Sequence, residues 1–265
     1  MNLFSKAILS AAIIGIALTG CGEKKDNHLK VGAIAGAETQ VAEEAAKIAK
    51  EKFGLEVEIV QFSDFATPNV ALNDGSIDVN AFQHKPYLDS QIKDRGFKLV
   101  AVGNTFVYPI AGYSKKIKNI SELKEGSQIA VPNDPTNLGR SLLLLQKQGL
   151  LKLKDGSGLT ATVLDIVENQ KKVKIVELEA AQLPRALEDV DLAIINTVYA
   201  SQVNLQPTRD GLFVEDKDSP YVNLIVAREN NQNDEKVKNF VKSYQDEAVF
   251  KKATELFNGG VVKGW

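Results

Sequence analysis

The chain is poor in the residues that build disulfides and metal centres, with one cysteine and two histidines among 265 residues. A single cysteine, Cys21, excludes an intrachain disulfide and any cysteine-rich metal site. His28 lies in a polar stretch near the start, so only His84 belongs to the part that we expect to fold. A Gly-x-Ser-x-Gly nucleophile motif is also missing. The sequence therefore indicates a protein that is not an enzyme and that carries no metal or cofactor.

The chain has little net charge and no basic patch with interleaved aromatic residues. Its 32 basic and 34 acidic residues give a net charge of −2 at pH 7. Nucleic acid is therefore not an expected partner. The 44% hydrophobic content is ordinary for a globular α/β protein. About 245 residues beyond the start are enough for a core that holds without disulfides.

Long apolar runs are absent apart from one near the start. Residues 7–18 form it, after Lys6, and this length fits a secretory signal better than a membrane span. The run ends in Leu-Thr-Gly-Cys, which resembles the lipobox of bacterial lipoproteins. That resemblance implies a signal peptide over residues 1–20, a lipid anchor on Cys21 and a tether over residues 21–28. A plain signal peptide with an incidental cysteine is the alternative.

The residue after the cysteine bears on which membrane holds the anchor. In enterobacteria-like lipoproteins an aspartate at this position commonly retains the protein in the inner membrane. Gly22 stands there in this chain. The resemblance therefore favours the outer membrane, with the inner membrane as the alternative.

The first third of the folded part alternates strand and helix patterns. Short apolar runs predict strands over residues 30–35, 56–62, 77–81 and 99–102, and periodic segments between them predict helices. This order implies a parallel sheet with helices on both faces. Ligands of such sheets bind beyond the carboxyl ends of the strands. The segments 36–38, 62–65 and 82–87 would then share one rim.

The stretch Asn80–Leu88 (Asn-Ala-Phe-Gln-His-Lys-Pro-Tyr-Leu) is the most informative part of that rim. It holds Phe82, His84 and Tyr87. Aromatic faces with an imidazole edge suit a pocket for a small, partly apolar ligand. A strand end whose aromatic residues simply belong to the core is the alternative.

Two long β-like segments suggest that the chain passes twice between two lobes. Residues 103–114 carry Pro109 in the middle, which does not suit a central strand but fits a crossover. A second apolar run near residues 221–227 leads back. We therefore predict lobe 1 from residues 29–107 plus 224–265 and lobe 2 from residues 108–223. Two crossovers would allow the lobes to close on a ligand.

Lobe 2 offers a candidate anion site. A strand over residues 128–131 is followed by a polar loop over residues 132–141 and a helix over residues 142–148. Free N–H groups at such a helix start favour an anion. Arg140 would lie in the first turn, against the helix dipole, and a ligand carboxylate held by both arms of its guanidinium would explain it. A surface pair with Asp134 is the alternative.

Two asparagines follow or interrupt apolar strands. Asn196 ends a buried strand, where it either stabilises the loop or offers an amide to a ligand. Asn223 interrupts the second crossover and needs hydrogen-bond partners if it is buried.

Five segments together resemble the NlpA lipoproteins, the methionine-binding lipoproteins of bacterial ABC importers. They lie in the expected order along nearly the whole mature chain. The segments are residues 80–88, 107–114, 131–140, 196–200 and 219–223. The resemblance implies an α/β fold of the periplasmic-binding-protein type (type 2-like). It has two lobes, each a mixed, mainly parallel sheet flanked by helices, joined by two crossover strands.

The resemblance also implies a bound methionine of L or D configuration and a role for each site residue. Phe65, Phe82 and Tyr87 would surround the thioether, with His84 near the sulfur and Arg140 on the carboxylate. Phe65 stands where relatives often have tyrosine. Asn196 and Asn223 would hold the amino and carboxylate groups; for the amine no acid stands out, so amide and backbone oxygens are expected.

The implied partners are the permease and ATPase subunits of the importer and, through Cys21, a membrane facing the periplasm. A monomer is expected. Two alternatives stay open. One is the same fold with a methionine-containing dipeptide or another small apolar amino acid as ligand. The other is an outer-membrane surface lipoprotein without a transport role.

Overall fold

The structure, a computed structural model, describes residues 27–216 and 218–265. The predicted signal peptide, Cys21, Gly22 and most of the predicted tether therefore lie outside the described residues. Within the described ranges no helix has the length and apolar character needed to cross a bilayer.

The elements alternate as expected for an α/β protein. The strands are β1 (His28–Ile34), β2 (Glu56–Phe62), β3 (Val79–His84), β4 (Leu99–Val107), β5 (Ala111–Tyr113), β6 (Gln128–Pro132), β7 (Lys152–Leu153), β8 (Ile166–Glu168), β9 (Lys174–Leu178), β10 (Leu192–Ile195), β11 (Phe213–Val214), β12 (Val222–Arg228) and β13 (Val262–Lys263). The α-helices are α1 (Ala37–Phe53), α2 (Thr67–Asp74), α3 (Lys85–Arg95), α4 (Pro135–Lys147), α5 (Leu183–Ala186), α6 (Thr197–Gln202), α7 (Pro207–Asp210), α8 (Glu235–Tyr244) and α9 (Glu247–Leu256).

Two sheets define the two lobes. In lobe 1 the strand order is β13-β4-β12-β3-β1-β2, with β1 parallel to β2 and β3 and with β12 antiparallel to its neighbours. In lobe 2 the order is β11-β5-β10-β6-β9, with β6 parallel to β9 and β10. Both sheets are mixed, so the predicted α/β fold class is confirmed. Neither sheet is mainly parallel as predicted, because β4 pairs only with the antiparallel strands β12 and β13, and β5 pairs antiparallel with β10 and β11.

The chain passes from lobe 1 to lobe 2 between β4 and β5 and returns before β12. Pro109 lies between β4 and β5, where no sheet hydrogen bond is required of it. Val222 of β12 pairs with Val107 of β4, and Val262 of β13 pairs with Val107 from the other side. The crossovers thus start from paired strands of lobe 1. The lobe boundaries drawn from the sequence stay a prediction.

Two predicted elements begin at the wrong residue. The third strand is β3, so Asn80–His84 is part of the strand instead of following it. Helix α4 begins at Pro135 and not at residue 142, because the Asp134 carboxylate caps it by accepting from the Asn137 N–H and proline fits the first turn. Arg140 is consequently in the second turn, and the expected conflict with the helix dipole does not arise.

The C-terminal helix, predicted as one element over residues 234–258, is two helices. Helix α8 ends at Tyr244, and Asp246 then starts α9 by accepting a hydrogen bond from the Ala248 N–H. The apolar period continues through the break. Both helices therefore still bury one face, including Val237, Phe240 and Val249, against lobe 1.

Candidate functional site

The carboxyl ends of β1, β2 and β3 face lobe 2 across a cleft. One cavity there has about 400 Å³ of space not filled by protein atoms, part of it open to solvent. The seven ligand-binding residues predicted from the sequence all line it; they are Phe65, Phe82, His84, Tyr87, Arg140, Asn196 and Asn223. The structure thus brings together residues that are up to 158 positions apart in the chain.

One end of the cavity is aromatic. The ring centroids of Phe65 lie 5.9 Å from Phe82 and 6.3 Å from Tyr87, and those of Phe82 and Tyr87 are 6.0 Å apart. The Tyr87 hydroxyl donates to the Phe65 carbonyl oxygen at 2.8 Å, which fixes the loop after β2 to helix α3. Tyr199 of lobe 2 packs behind this end, with its ring 4.9 Å from that of Phe65.

His84 caps helix α3 from the end of β3. Its Nδ1 accepts from the Tyr87 N–H at 3.1 Å, so in the neutral ring the proton is on Nε2. Burial, and then the positive charge of Arg140, lower the pKa of His84 to about 3. His84 is therefore neutral at physiological pH, and Nε2 can donate to Asn137 Oδ1 at 3.3 Å.

Asn137 links the two lobes. Its Oδ1 accepts from His84 of lobe 1 and, at 2.9 Å, from Asn196 Nδ2 of lobe 2. Its Nδ2 donates to the Asp134 carboxylate that caps α4. Because every hydrogen-bonding group of this side chain is used, its orientation is fixed, and Asn137 holds His84 and Asn196 in register across the cleft.

Arg140 is buried and is held by lobe 2 and the crossovers. Glu215 accepts from Nε at 2.8 Å and from Nη2 at 2.5 Å, and the Tyr108 carbonyl accepts from Nη2 at 3.0 Å. The Tyr221 ring lies 4.3 Å below the guanidinium carbon. The alternative of a surface pair with Asp134 is therefore wrong, since Arg140 is buried and its partner is Glu215. The contact with a ligand carboxylate stays a prediction. Nη1 is the nitrogen left for a ligand.

Glu38, in the first turn of α1, is a buried carboxylate beside the cavity. Its Oε1 accepts from Asn223 Nδ2 at 3.2 Å, and that same amide donates to the Phe82 carbonyl at 3.0 Å. Its Oε2 has no hydrogen-bond partner among the described residues. Burial raises the pKa of Glu38 well above its ordinary value.

The site thus offers unsatisfied polar groups of two kinds. Oε2 of Glu38 and Oδ1 of Asn196 are buried acceptors without a partner in the described part of the chain. Buried acceptors without partners cost free energy unless a ligand supplies donors. Nη1 of Arg140 offers donors to an anion. An ammonium, a carboxylate and an apolar side chain together match this arrangement, which is the chemistry of a free amino acid.

Glu38, Asn137, Glu215 and Tyr221 were not among the site residues predicted from the sequence. Glu38 lies on the rim segment 36–38, so its position was available as a signal. Glu215 gave none, because its partner is 75 residues away and no spacing links them.

Groups of three or more histidine, cysteine, aspartate or glutamate side chains that could hold an ion are absent from the residues that the structure describes.

Comparison with known proteins gives concordant matches. The profile of the NlpA lipoprotein family matches residues 29–265. The D-methionine-binding lipoprotein MetQ of Escherichia coli (strain K12) is 67% identical over 263 residues, which cover 98% of this chain and 97% of that protein. Among solved structures, the methionine-binding protein MetQ is 69% identical with a TM-score of 0.90, covering 91% of this chain and 99% of that one. A nutrient-binding protein from Burkholderia cenocepacia bound to methionine is 51% identical with a TM-score of 0.88, covering 89% and 100%.

Proposed function

Because the chain belongs to the NlpA lipoprotein family, we propose that it is the substrate-binding lipoprotein of a bacterial ABC importer and that it captures methionine between its lobes. The names of its relatives support this ligand. The observation that carries the proposal is structural. Two buried acceptors that have no partner among the described residues, a buried guanidinium and an aromatic box line one cavity.

The proposed headgroup contacts follow from the free atoms. The carboxylate binds Nη1 of Arg140, whose position is set by Glu215 and Tyr221. The ammonium binds Oε2 of Glu38 and Oδ1 of Asn196. Charge-assisted hydrogen bonds of this kind offset the cost of taking both ionised groups out of water.

The proposed side-chain contacts are those of the aromatic end. Phe65, Phe82 and Tyr87 surround the thioether. Burying a methionine side chain contributes about 1.5–3 kcal/mol, and contacts between sulfur and aromatic rings add about 0.3–1.5 kcal/mol. His84 takes part through the helix cap and the bond to Asn137 more than through the sulfur.

We further propose that a lipid on Cys21 anchors the protein to a membrane facing the periplasm, with Gly22 favouring the outer membrane. The partners are the permease and ATPase subunits, and the protein acts as a monomer that performs no chemistry. The two lobes are residues 29–107 plus 224–265 and residues 108–223.

The test is native mass spectrometry of the protein purified without added ligand, followed by calorimetry of the stripped protein with L- and D-methionine. We expect the purified protein to carry a ligand with the mass of methionine. The stripped protein should then bind added methionine tightly. Comparison of methionine with methioninol tests the carboxylate contact. Methioninol lacks the carboxylate and should bind far more weakly. A dipeptide mass, or stripped protein that does not bind methionine, would contradict the proposal.

A further inference from the structure

A second space adjoins the aromatic end of the cavity. This groove, called the vestibule below, has about 1290 Å³ of space not filled by protein atoms, part of it open to solvent. Apolar and charged residues of both lobes line it, among them Asp64 of lobe 1 and Glu179, Ala180 and Tyr199 of lobe 2. The vestibule is thus on the far side of the aromatic box from Arg140.

Phe65 and Tyr87 are the two residues that line both spaces. They differ in how firmly they are held. Tyr87 is 5% exposed and is fixed by its hydroxyl bond to the Phe65 carbonyl. Phe65 is half-buried in the loop between β2 and α2, and only its backbone takes part in that bond. The Phe65 ring can therefore be removed without breaking the contact that positions the loop.

The direction of the ligand follows from the sheet order. Tyr108 follows β4 and Asn223 lies in β12, whereas Phe65 follows β2, the edge strand on the other side of the sheet. Arg140 donates to the Tyr108 carbonyl, and Glu38 accepts from Asn223. A ligand whose headgroup is held by Arg140 and Glu38 therefore points its side chain towards Phe65. This step rests on the proposed function.

We propose that the Phe65 ring is the stop that limits side-chain length, and that it separates the methionine pocket from a vestibule able to receive longer unbranched side chains. The rings of Phe65 and Tyr87 form the wall between the two spaces, and the ring of Tyr199 lies 4.9 Å from that of Phe65 on the vestibule side. Because Tyr199 belongs to lobe 2, this support is in place only when the lobes are closed. Selection by length is thus coupled to closure.

The test is a length series of ligands on wild type and Phe65→Ala: methionine, ethionine and the S-propyl and S-butyl homologues. In the wild type each added methylene should weaken binding about tenfold, because it overfills a closed site. In Phe65→Ala each should instead strengthen binding, by at most about fourfold, through the S-butyl ligand, because the chain enters the vestibule and buries apolar surface in a groove that is partly open to solvent. The sign of the length dependence is the readout.

Phe82→Ala is the matched control. This variant also removes a phenyl ring from the methionine pocket, but Phe82 does not line the vestibule. It should weaken methionine binding, and any gain from added methylenes should end after ethionine, because the space it creates is closed. Phe65→Leu, which shortens the wall less, should give an intermediate series and serves if the alanine variant does not fold.

The outcomes separate the two proposals. If the folded Phe65 variants keep the wild-type preference for methionine over the S-butyl ligand, the length stop is elsewhere and the inference is overturned. If Phe82→Ala shows the same continuing gain as Phe65→Ala, the vestibule plays no part and the inference again fails. Failure of wild type to bind methionine at all would instead overturn the proposed function.

Discussion

Glu215 holds the guanidinium of Arg140 through two hydrogen bonds, from Nε at 2.8 Å and from Nη2 at 2.5 Å. The side chain of Arg140 is 3% exposed and that of Glu215 is 13% exposed, so this is a buried pair. The pair neutralises a charge that the unliganded site would otherwise leave uncompensated. It also occupies Nε and one hydrogen of Nη2, which leaves Nη1 for the proposed ligand carboxylate.

Replacing Glu215 by glutamine should destabilise the unliganded protein. Loss of one partner of a buried ion pair costs about 3–5 kcal/mol, and glutamine keeps one acceptor oxygen, so we expect a loss of about 2 kcal/mol. Saturating methionine should reduce this loss, because its carboxylate supplies another anion to Arg140. Urea unfolding with and without methionine measures both values. Glu188→Gln, at an exposed pair with Lys115, is the control and should leave stability unchanged. An equal loss in both states would contradict the proposed carboxylate contact.

Methionine binding should release protons through Glu38. Burial raises the pKa of this carboxyl in the unliganded site, and a ligand ammonium at Oε2 should lower it again. Affinity should therefore rise with pH up to the raised pKa, as long as the ligand amine stays protonated. Calorimetry in buffers of different ionisation enthalpy measures the proton count. Glu38→Gln should abolish the release, and an unchanged proton count in that variant would assign the effect elsewhere.

The same raised pKa makes a prediction about stability without ligand. The unfolded state binds fewer protons than the folded state between the ordinary glutamate pKa of about 4.3 and the raised value. The contribution of Glu38 to the free energy of unfolding is therefore full below that range and declines as pH rises through it. Glu38→Gln should flatten this decline in urea unfolding series measured without methionine.

Local patterns predicted most of the fold. Strand β2 begins and ends where the alternation over Glu56–Phe62 begins and ends, because its apolar residues are partly buried and its polar residues are exposed. The predicted start of helix α4 is too late, because the polar residues after Asp134 are typical of a loop. In the structure Thr136 and Asn137 are buried by tertiary contacts that no local pattern reveals.

The site was harder to predict than the fold. The rim argument brought Phe65, Phe82 and Tyr87 together, since the ends of neighbouring parallel strands meet at one edge. The pairing of Arg140 with Glu215 depends on how the chain returns through lobe 2, which the order of elements leaves open. Glu38 lay on the predicted rim, but only its burial and its bond to Asn223 distinguish it from a surface acid.

Asn137→Ala should weaken methionine binding without unfolding the protein. The change removes the acceptor shared by His84 and Asn196, and each lost buried hydrogen bond leaves a donor without a partner. Costs of about 1–3 kcal/mol imply a tenfold to hundredfold rise in Kd, measured by calorimetry. Ser141→Ala in the same helix removes a buried bond confined to α4 and is the control. Equal effects of the two variants would show that stability of α4, and not the link between lobes, is responsible.

Gln202→Ala should favour the open form of the protein. The Gln202 amide of lobe 2 donates to the Ala35 carbonyl of lobe 1 at 2.8 Å. Loss of one such bond should destabilise the closed form by about 0.5–1.5 kcal/mol. Methionine binding should therefore weaken about twofold to tenfold, mainly through faster release. Ser201→Ala, whose hydroxyl bonds only within lobe 2, is the control. Release rates by rapid mixing and the radius of gyration without ligand check the prediction, and an unchanged release rate for Gln202→Ala would contradict it.

His84 should act as a neutral helix cap that joins the lobes. Its Nδ1 accepts from Tyr87, Nε2 faces Asn137, and its pKa is lowered to about 3 by burial and by Arg140. Its imidazole resonances should therefore not titrate between pH 5 and 8. Since the unfolded state takes up the proton near pH 6.5, the contribution of His84 to stability should decline as pH falls from there towards about 3.

Two variants separate the cap from the ligand contact. His84→Asn keeps a side chain suited to the cap position, so its stability should stay near that of the wild type, whereas His84→Ala should lose about 1 kcal/mol. Both should weaken methionine binding, because neither restores the imidazole donor to Asn137. A loss of affinity confined to ligands that contain sulfur, with norleucine unaffected, would instead assign His84 to the thioether. Equal losses for methionine and norleucine are what the link to Asn137 requires.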